Sequence, residues 1–321
     1  MACIDNKNTS ASMSEALPIT VVLNVGSGHA EAATCERQIR EGLEAGGREY
    51  RIVVAGSAAQ VESQTRLAIA AARGREQIIV AAGGDGTINL IAGLALERNL
   101  PLGVIPLGTF NYFARDLGIP LEPREAAMAI ATGRVRRVHV AHVNGHLFLN
   151  NASFGLYRKL LEERERNKQR FGRYKIVAVV SALATLWRFR QVYTLRMQLD
   201  GQPATMRTPM LFFGLNSLQL ENLDLDVAGC TDAGQMAVIA LQPSDRWHLL
   251  KLALKGALQG LQGSPELRIH GASQVIVEQP GRRVTRVAVD GESVDCSLPL
   301  HFKVQRDALQ VIVPQNPVAR T

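Results

Sequence analysis

The 321-residue chain has few cysteines, few aromatic residues and no long apolar run. Its four cysteines lie far apart, without the CxxC spacing of a zinc site, and fit a reducing cytoplasm better than a disulfide framework. Aromatic residues make up 5% of the chain and are not interleaved with basic side chains as in nucleic-acid readers. We therefore expect no structural zinc, no disulfide framework and no nucleic-acid partner.

Membrane-crossing segments are also missing from the sequence. The longest apolar run, residues 176–187, is shorter than the roughly 20 residues that span a bilayer. Residues 1–18 are polar and lack the apolar centre of a signal peptide, so we expect a flexible leader. The net charge of +7 suits an anionic partner, such as a phosphorylated ligand or an acidic membrane surface.

Strands and helices alternate over about the first 140 residues. Four continuously apolar runs are typical of strands covered on both faces, and they lie at residues 19–25, 50–55, 77–82 and 102–106. Helical segments follow the first three, at about 30–45, at about 60–73 and after a glycine turn to about 97. This βαβα order predicts a parallel sheet with helices on both faces.

The second half has a different pattern, in which apolar and polar residues alternate. Three dipeptides interrupt the alternation: Asn144-Gly145, Asp200-Gly201 and Asp290-Gly291. Such dipeptides between alternating runs are strong signals of β-hairpins. Two helical inserts are expected at about 157–187 and about 245–260.

Together these patterns predict two domains, since the chain is long for a single hydrophobic core. We expect an α/β N-terminal domain with a parallel sheet at residues 19–137. A mostly antiparallel β-sandwich C-terminal domain would follow at 138–321, and the sequence leaves open that its last residues pack back on the first domain.

The third apolar strand runs into a glycine-rich turn, "GGDGT", at Gly83 to Thr87. Its glycines let backbone N–H groups approach a ligand, and the helix start that follows favours anions. The turn is neither a Walker A loop nor a GxGxxG motif. Asp85 therefore needs an explanation: it accepts a hydrogen bond from a ribose hydroxyl, acts through a metal ion, or caps the helix.

Two further turns follow predicted strands. The first strand ends in Asn24, Gly26, Ser27 and Gly28, and the fourth leads into Gly108, Thr109 and Asn111. In an open α/β sheet, ligands bind outside the carboxyl ends of the strands, where two such turns can face each other. Plain strand-to-helix loops remain the alternative for both turns.

A pair of carboxylates lies in the segment "VDGES" at 289–293. If the segment is extended, Asp290 and Glu292 lie on the same side of it. Two carboxylates on one face suit a base that takes a proton from a hydroxyl, beside a group that orients it or a metal. The alternative is an ordinary hairpin turn.

Together, these segments resemble the diacylglycerol kinase catalytic-domain family, which includes bacterial lipid kinases and sphingosine and ceramide kinases and is distantly similar to NAD kinases. The resemblance covers about residues 19–313. Its marks are "GGDGTIN" at 83–89, "PLGTFNYFARDLGIP" at 106–120, "NNASFGLY" at 150–157, "CTDAGQM" at 230–236 and "VDGE" at 289–292.

The resemblance implies transfer of a phosphoryl group from Mg-ATP to a lipid hydroxyl, with the nucleotide between the domains. Glu292 would accept the hydroxyl proton, Asp290 would assist it or the metal, and Asp232 would be a metal ligand. The residues implied for ATP binding are Asn24, Ser27, Gly28, Gly83, Gly84, Asp85, Gly86, Thr87, Ile88, Asn89, Gly108, Thr109 and Asn111.

The chain departs from the family pattern at four places. Val25 replaces a proline of the first turn, and Ala55 replaces a threonine after the second strand. Tyr112 stands where the family usually has an aspartate, and "DAG" at 232–234 replaces an Asp-Gly beside a structural metal. If that aspartate normally reaches magnesium through water, this protein manages without it.

A basic stretch at 157–190 surrounds the longest apolar run. A basic amphipathic helix can dock on an anionic membrane, and the alternative is a core helix. The docking candidates are Arg170, Arg173, Lys175, Arg188 and Arg190. The expected location is cytoplasmic and peripherally membrane-associated.

Two other functions stay open from the sequence: a kinase of a soluble acceptor on the same scaffold, and a non-catalytic nucleotide- or lipid-binding regulator. The identity of the lipid and a homodimeric state are also left open.

Overall fold

The computed structural model describes residues 17–26, 29–72, 74, 76–155, 191–221, 229–230, 233–243, 248 and 264–319. These residues form two units. One contains the residues up to His139 and those from Arg306 onward, and the other contains Val140–Gln305. The boundary expected after residue 137 lies two residues before this division, and residues 306–321 fall in the first unit. The helical inserts expected at 157–187 and 245–260 lie outside the described residues, apart from His248.

The first unit is an α/β fold, as its sequence pattern predicts. Its elements are β1 (Ile19–Asn24), α1 (His29–Ala45), β2 (Tyr50–Ala55), α2 (Ala58–Ala71), β3 (Ile78–Gly83), α3 (Asp85–Glu97), β4 (Leu102–Pro106), α4 (Tyr112–Asp116) and α5 (Pro123–Thr132). Two strands belong to both units: β5 (Arg134–Val143) and β16 (Leu300–Val313).

The sheet of this unit has the order β2-β1-β3-β4-β16, and each neighbouring pair is parallel. The predicted parallel sheet is therefore confirmed. Helix α2 begins at residue 58, two residues before the predicted start, because the Ser57 hydroxyl accepts a hydrogen bond from the Gln60 N–H and caps the helix.

The second unit is built almost entirely of strands. Besides parts of β5 and β16, it contains β6 (His146–Phe148), β7 (Asn151–Gly155), β8 (Tyr193–Leu199), β9 (Gln202–Thr208), β10 (Met210–Gly214), α6 (Ser217–Glu221), β11 (Met236–Leu241), β12 (Leu267–Ala272), β13 (Gln274–Glu278), β14 (Val284–Val289) and β15 (Glu292–Ser297).

These strands form two antiparallel layers. One sheet has the order β12-β11-β10-β7-β14-β15, and the other contains β16-β13-β8-β9 with the hairpin β5-β6. One buried apolar cluster takes side chains from both sheets, and within it the rings of Phe213 and Phe302 stack with centroids 3.7 Å apart. The predicted β-sandwich is confirmed.

Three predicted hairpins are present, each with a two-residue turn. Both residues of each turn have positive φ, from 45° to 47° at the first position and from 85° to 92° at the glycine. These values are those of type I′ turns, which match the right-handed twist of paired strands. Asn and Asp tolerate the left-handed conformation better than most residues, and glycine adopts it without strain.

Among the described cysteines, Cys35, Cys230 and Cys296, none forms a disulfide bond. Burial raises the pKa of the Cys296 thiol, which keeps it protonated and unreactive near neutral pH. Within the described part of the chain, no helix combines the length and the apolar character needed to cross a membrane.

Helices α1 and α5 approach each other at Gly42. A Cβ atom there would lie 2.7 Å from Cβ of Ala127 and closer still to the Arg124 carbonyl oxygen. We expect Gly42→Ala to lower the free energy of unfolding by about 1–3 kcal/mol through overpacking. Urea unfolding, with an unchanged m-value, measures the effect.

The control lies on the exposed face of the same helix. At Ala33, propensity alone should decide, so Ala33→Gly should cost about 1 kcal/mol. Alanine should thus be the more stable residue at position 33 and glycine the more stable residue at position 42. A Gly42→Ala variant as stable as the wild type would contradict the close helix contact.

Candidate functional site

The strand order of the first unit reverses between β1 and β3, with β2 on the outer side of β1. In α/β folds, a reversal of strand order of this kind marks the place where ligands bind, outside the carboxyl ends of the strands. A hydrogen bond joins the two loops, since Asn24 Nδ2 donates to Thr87 Oγ1 at 2.8 Å. The predicted turns that follow β1 and β3 therefore lie side by side.

The glycine turn after β3 leads directly into α3. Gly84 is the N-cap, no side chain caps this helix, and Asp85 is the first helical residue. The interpretation of Asp85 as the helix cap is therefore wrong. A carboxylate in the first turn still interacts favourably with the helix dipole. Because no side chain caps this end, the first-turn N–H groups, including that of Gly86, can bind an anion.

The turn after β4 packs against this one. The N–H of Leu107 donates to the Gly83 carbonyl at 2.9 Å. A Cβ at Gly108 would lie 2.9 Å from the Gly84 Cα, and a Cβ at Gly83 would lie 2.7 Å from the Thr87 side chain. Only glycine permits backbones to approach this closely. The expectation that the two turns face each other is confirmed.

A single carboxylate ties these turns together. Oδ2 of Asp85 accepts a hydrogen bond from the Asn111 N–H at 3.0 Å. Oδ1 of Asp85 is buried and has no hydrogen-bond partner. Burial raises the pKa of the Asp85 carboxyl, while the backbone N–H groups of Asn111, Phe113 and Tyr112 partly oppose this rise.

The side chain of Asn111 is used within its own turn. Asn111 adopts the left-handed conformation, with φ of 52°. Its Oδ1 accepts from the Gly108 N–H and its Nδ2 donates to the Gly108 carbonyl, both at 3.0 Å. Next to it, the ring of Tyr112 stacks on the exposed ring of Phe110, with centroids 5.6 Å apart. Thr109 is exposed beside them.

The residues present fit a bound nucleoside triphosphate. The open N-terminus of α3 offers N–H donors to phosphate, and Gly86 in its first turn is exposed. Within the described ranges, no three His, Cys, Asp or Glu side chains form a metal cluster. Mg²⁺ is usually held by one or two carboxylates together with substrate phosphates, so the unpartnered oxygen of Asp85 fits such a site.

In the second unit, polar residues gather at one end of the six-stranded sheet. The antiparallel pairing brings together the end of β10, the start of β7, the end of β14 and the start of β15. Four amide side chains that are only 2% to 8% exposed lie here: Asn150, Asn151, Asn216 and Gln219.

These amides form a hydrogen-bonded chain. Asn216 Nδ2 donates to Asn150 Oδ1 at 2.9 Å, and Asn216 Oδ1 accepts from the Gln219 N–H at 2.9 Å. Asn151 Nδ2 donates to Gln219 Oε1 at 2.8 Å. Buried polar groups are retained only when such bonds offset their desolvation. The sequence does not predict Asn216 and Gln219 as site residues, because no local pattern marks hydrogen-bond partners that are 66 and 68 residues apart in the chain.

The two predicted catalytic carboxylates do not share one face of an extended segment, so that geometric expectation is wrong. Asp290 lies in the type I′ turn, and Glu292 begins the return strand opposite Val289. The Asp290 carboxylate accepts hydrogen bonds from the N–H groups of residues 149, 150 and 151. Glu292 is exposed, and no hydrogen bond or ion pair joins its carboxylate to another described residue.

The other predicted site residues fall into two groups. Ser27, Gly28, Asp232 and the basic stretch from 157 to 190 are outside the described residues. The side chain of Ile88 is fully buried in the first unit, so only its backbone can line a ligand, and Asn89 is half-buried.

Comparison with known proteins identifies relatives. Residues 18–143 match the family described as diacylglycerol kinase catalytic domain. A diacylglycerol kinase of Mycobacterium tuberculosis (strain ATCC 25618 / H37Rv) is 28% identical over 308 residues, which cover 93% of this chain and 96% of that protein. One of Bacillus subtilis (strain 168) is 52% identical over 81 residues, which cover 24% of this chain but only 27% of that protein.

A solved structure has the same fold. The crystal structure of a diacylglycerol kinase from Bacillus anthracis str. Sterne aligns with a TM-score of 0.69 and 20% identity. The alignment covers 93% of this chain and 97% of that one. At this level of identity the likeness supports the two-unit architecture alone.

The raised pKa of Asp85 predicts a pH dependence of stability. The folded protein holds the Asp85 proton to a higher pH than the unfolded chain, where the pKa is near its ordinary 3.8. Its contribution to stability is therefore complete below pH 3.8 and is lost as the pH rises through the folded pKa. Asp85→Asn removes this titration.

We expect the free energy of unfolding of the wild type, relative to Asp85→Asn, to fall as the pH rises above this value. Urea unfolding of both proteins at a series of pH values measures the difference. If the wild type instead gains stability relative to the variant over that range, the carboxyl is stabilised as an anion and the assignment is wrong.

Proposed function

Because the chain belongs to the diacylglycerol kinase catalytic-domain family, we propose that it is a lipid kinase that transfers the γ-phosphoryl group of Mg-ATP to a lipid hydroxyl. The observation that carries the proposal is the uncapped N-terminus of α3 between two glycine turns, which Asp85 holds together through Asn111. Diacylglycerol is the substrate that the names of the relatives suggest, and a sphingoid or ceramide-like lipid is the alternative.

In this proposal the first unit binds the phosphate chain of the nucleotide. Backbone N–H groups at Gly86 and Thr87 and the dipole of α3 stabilise negative charge. Asp85 keeps the turns at residues 83–87 and 108–111 in register, and we assign its buried, unpartnered Oδ1 to accept a bond from a ligand, a water or a metal-bound water. The negative charge of Asp85 is compatible with ATP because Mg²⁺ neutralises part of the phosphate charge.

The second unit supplies the proton acceptor. Glu292 is an exposed carboxylate at the start of β15, where nothing in the described structure engages its side chain. We assign it to accept the proton of the lipid hydroxyl as the oxygen forms its bond to phosphorus. Phosphoryl transfer needs little covalent help from a protein, so most of the catalysis is positioning and charge stabilisation.

The proposed reaction also requires a divalent cation and contact with a membrane. Mg²⁺ is the expected cation, and Asp232, outside the described residues, is a candidate ligand for a further metal. A lipid substrate requires contact with a bilayer, and the net charge of +7 suits anionic headgroups. We propose that the protein associates peripherally with the cytoplasmic face of a membrane. The proposed mechanism requires no membrane-spanning helix.

The test is transfer of labelled γ-phosphate from Mg-ATP to a panel of lipids in mixed micelles. We expect one lipid class to be labelled, and Glu292→Gln to lower kcat by about 10²- to 10⁴-fold, the range of general-base catalysis. Binding of Mg-ATP, measured by calorimetry, should survive the substitution.

The matched control is Glu278→Gln, which removes the same charge from another exposed strand residue of the second unit. It should keep the wild-type rate. Labelling of a soluble acceptor but of no lipid would move the assignment to a soluble-substrate kinase. Full activity of Glu292→Gln would remove Glu292 from the reaction.

A further inference from the structure

Hydrogen bonds hold the hairpin that contains Glu292 at its turn. The backbone N–H of Asp290 donates to the Asn151 carbonyl at 2.9 Å. Its carboxylate accepts from Leu149 through Oδ2 at 2.8 Å, and from Asn150 and Asn151 through Oδ1, both at 2.9 Å. Four hydrogen bonds thus join one turn residue to three consecutive residues about 140 positions earlier in the chain.

The same construction recurs at the other two hairpins of this unit. Asp200 accepts from the N–H groups of Ser273 and Gln274, the latter at 2.8 Å. Asn144 accepts from the His301 N–H at 2.7 Å and donates to the Ser297 carbonyl. The first residue of each type I′ turn therefore holds a neighbouring segment. Because Asp200 and Asn144 do this away from Glu292, the arrangement at Asp290 is a structural device and not a feature of catalysis as such.

The hydrogen bonds also bear on the chemistry of Asp290. A carboxylate has about four acceptor positions, and three of them here are taken by backbone N–H groups. A carboxylate held in this way has few acceptor positions left for a substrate hydroxyl or a metal ion. Glu292, two residues further on, makes no such bonds and is exposed.

We infer that Asp290 is a positioning residue, which fixes Glu292 by anchoring its hairpin to residues 149–151. This inference rests on the proposed function and differs from the role that the family resemblance implies, in which Asp290 assists the base or the metal. The anchor is itself rigid, because Asn150 and Asn151 belong to the buried amide chain that continues through Asn216 to Gln219.

The inference predicts a graded response to substitution. Asp290→Asn keeps Oδ1 as an acceptor for Asn150 and Asn151 but presents a donor to the Leu149 N–H. Asp290→Gly keeps the left-handed turn, which glycine adopts without strain, and removes all three bonds. We expect kcat to fall about 10-fold in the first variant and about 100-fold in the second, with little change in KM for ATP.

Asp200→Asn and Asp200→Gly are matched controls, because they change an identical turn in the same unit. They should lower stability to a similar extent and keep kcat within about twofold of the wild type, because misplacement is what lowers kcat and the Asp200 turn holds Ser273 and Gln274, not residues 149–151. The assay is phosphate transfer from Mg-ATP to dioleoylglycerol in mixed micelles, or to the lipid that the panel identifies.

Two kinetic outcomes would overturn the inference. If Asp290→Asn and Asp290→Gly are equally inactive, and both match Glu292→Gln, then the Asp290 carboxylate takes part in the chemistry. If both variants keep kcat within about twofold of the wild type, the anchor does not position Glu292.

Amide hydrogen exchange separates a failure of the inference from a failure of the proposed function. In Asp290→Gly, the amides of residues 149–151 and of Glu292 should exchange faster, while those of Ser273 and Gln274 should not. In Asp200→Gly the pattern should reverse. This measurement needs no substrate, so it decides the anchoring even if no lipid is phosphorylated. Unchanged exchange at residues 149–151 in Asp290→Gly would overturn the inference.

Discussion

The two candidate site regions of this protein depend on side-chain oxygens that hold the backbone N–H groups of distant segments. Asp85 holds the turn after β4 in the first unit, and Asp290 holds the start of β7 in the second. A turn has no neighbouring strand to satisfy its N–H groups, so an anionic acceptor from elsewhere in the fold fixes it strongly. Each carboxylate therefore uses acceptor positions to hold the backbone in place, and only its remaining positions are open to a ligand.

The two carboxylates differ in what they leave free. Asp290 accepts three backbone bonds and acts as an anchor, whereas Asp85 leaves its buried Oδ1 without a partner. An unpaired buried oxygen costs free energy, and such a cost is typically found at functional sites. The same burial raises the pKa of the Asp85 carboxyl, because it disfavours the charged form. Beside Asp85, the uncapped N-terminus of α3 adds open N–H donors, which is why we propose phosphate binding there.

Glycines and buried amides complete the two regions in different ways. In the first unit, Gly83, Gly84 and Gly108 let two turns touch through their backbones, which leaves the N-terminus of α3 open. In the second unit, a chain of buried amides includes the residues that bind the Asp290-Gly291 turn, and Glu292 begins the strand after this turn. Phosphoryl transfer relies on positioning, so the proposed reaction needs both open N–H donors for the phosphates and a carboxylate that is held in place.

The sequence by itself determined the features that depend on neighbouring residues. Apolar runs predict the parallel strands, and Asp-Gly and Asn-Gly predict the three hairpins, because left-handed turns are a property of those dipeptides. Only the tertiary structure decided what Asp85 and Asp290 do. The partner of Asp85 lies 26 residues away and those of Asp290 lie 139 to 141 residues away. No local pattern encodes such pairs, because strand order and packing of the whole unit bring them together.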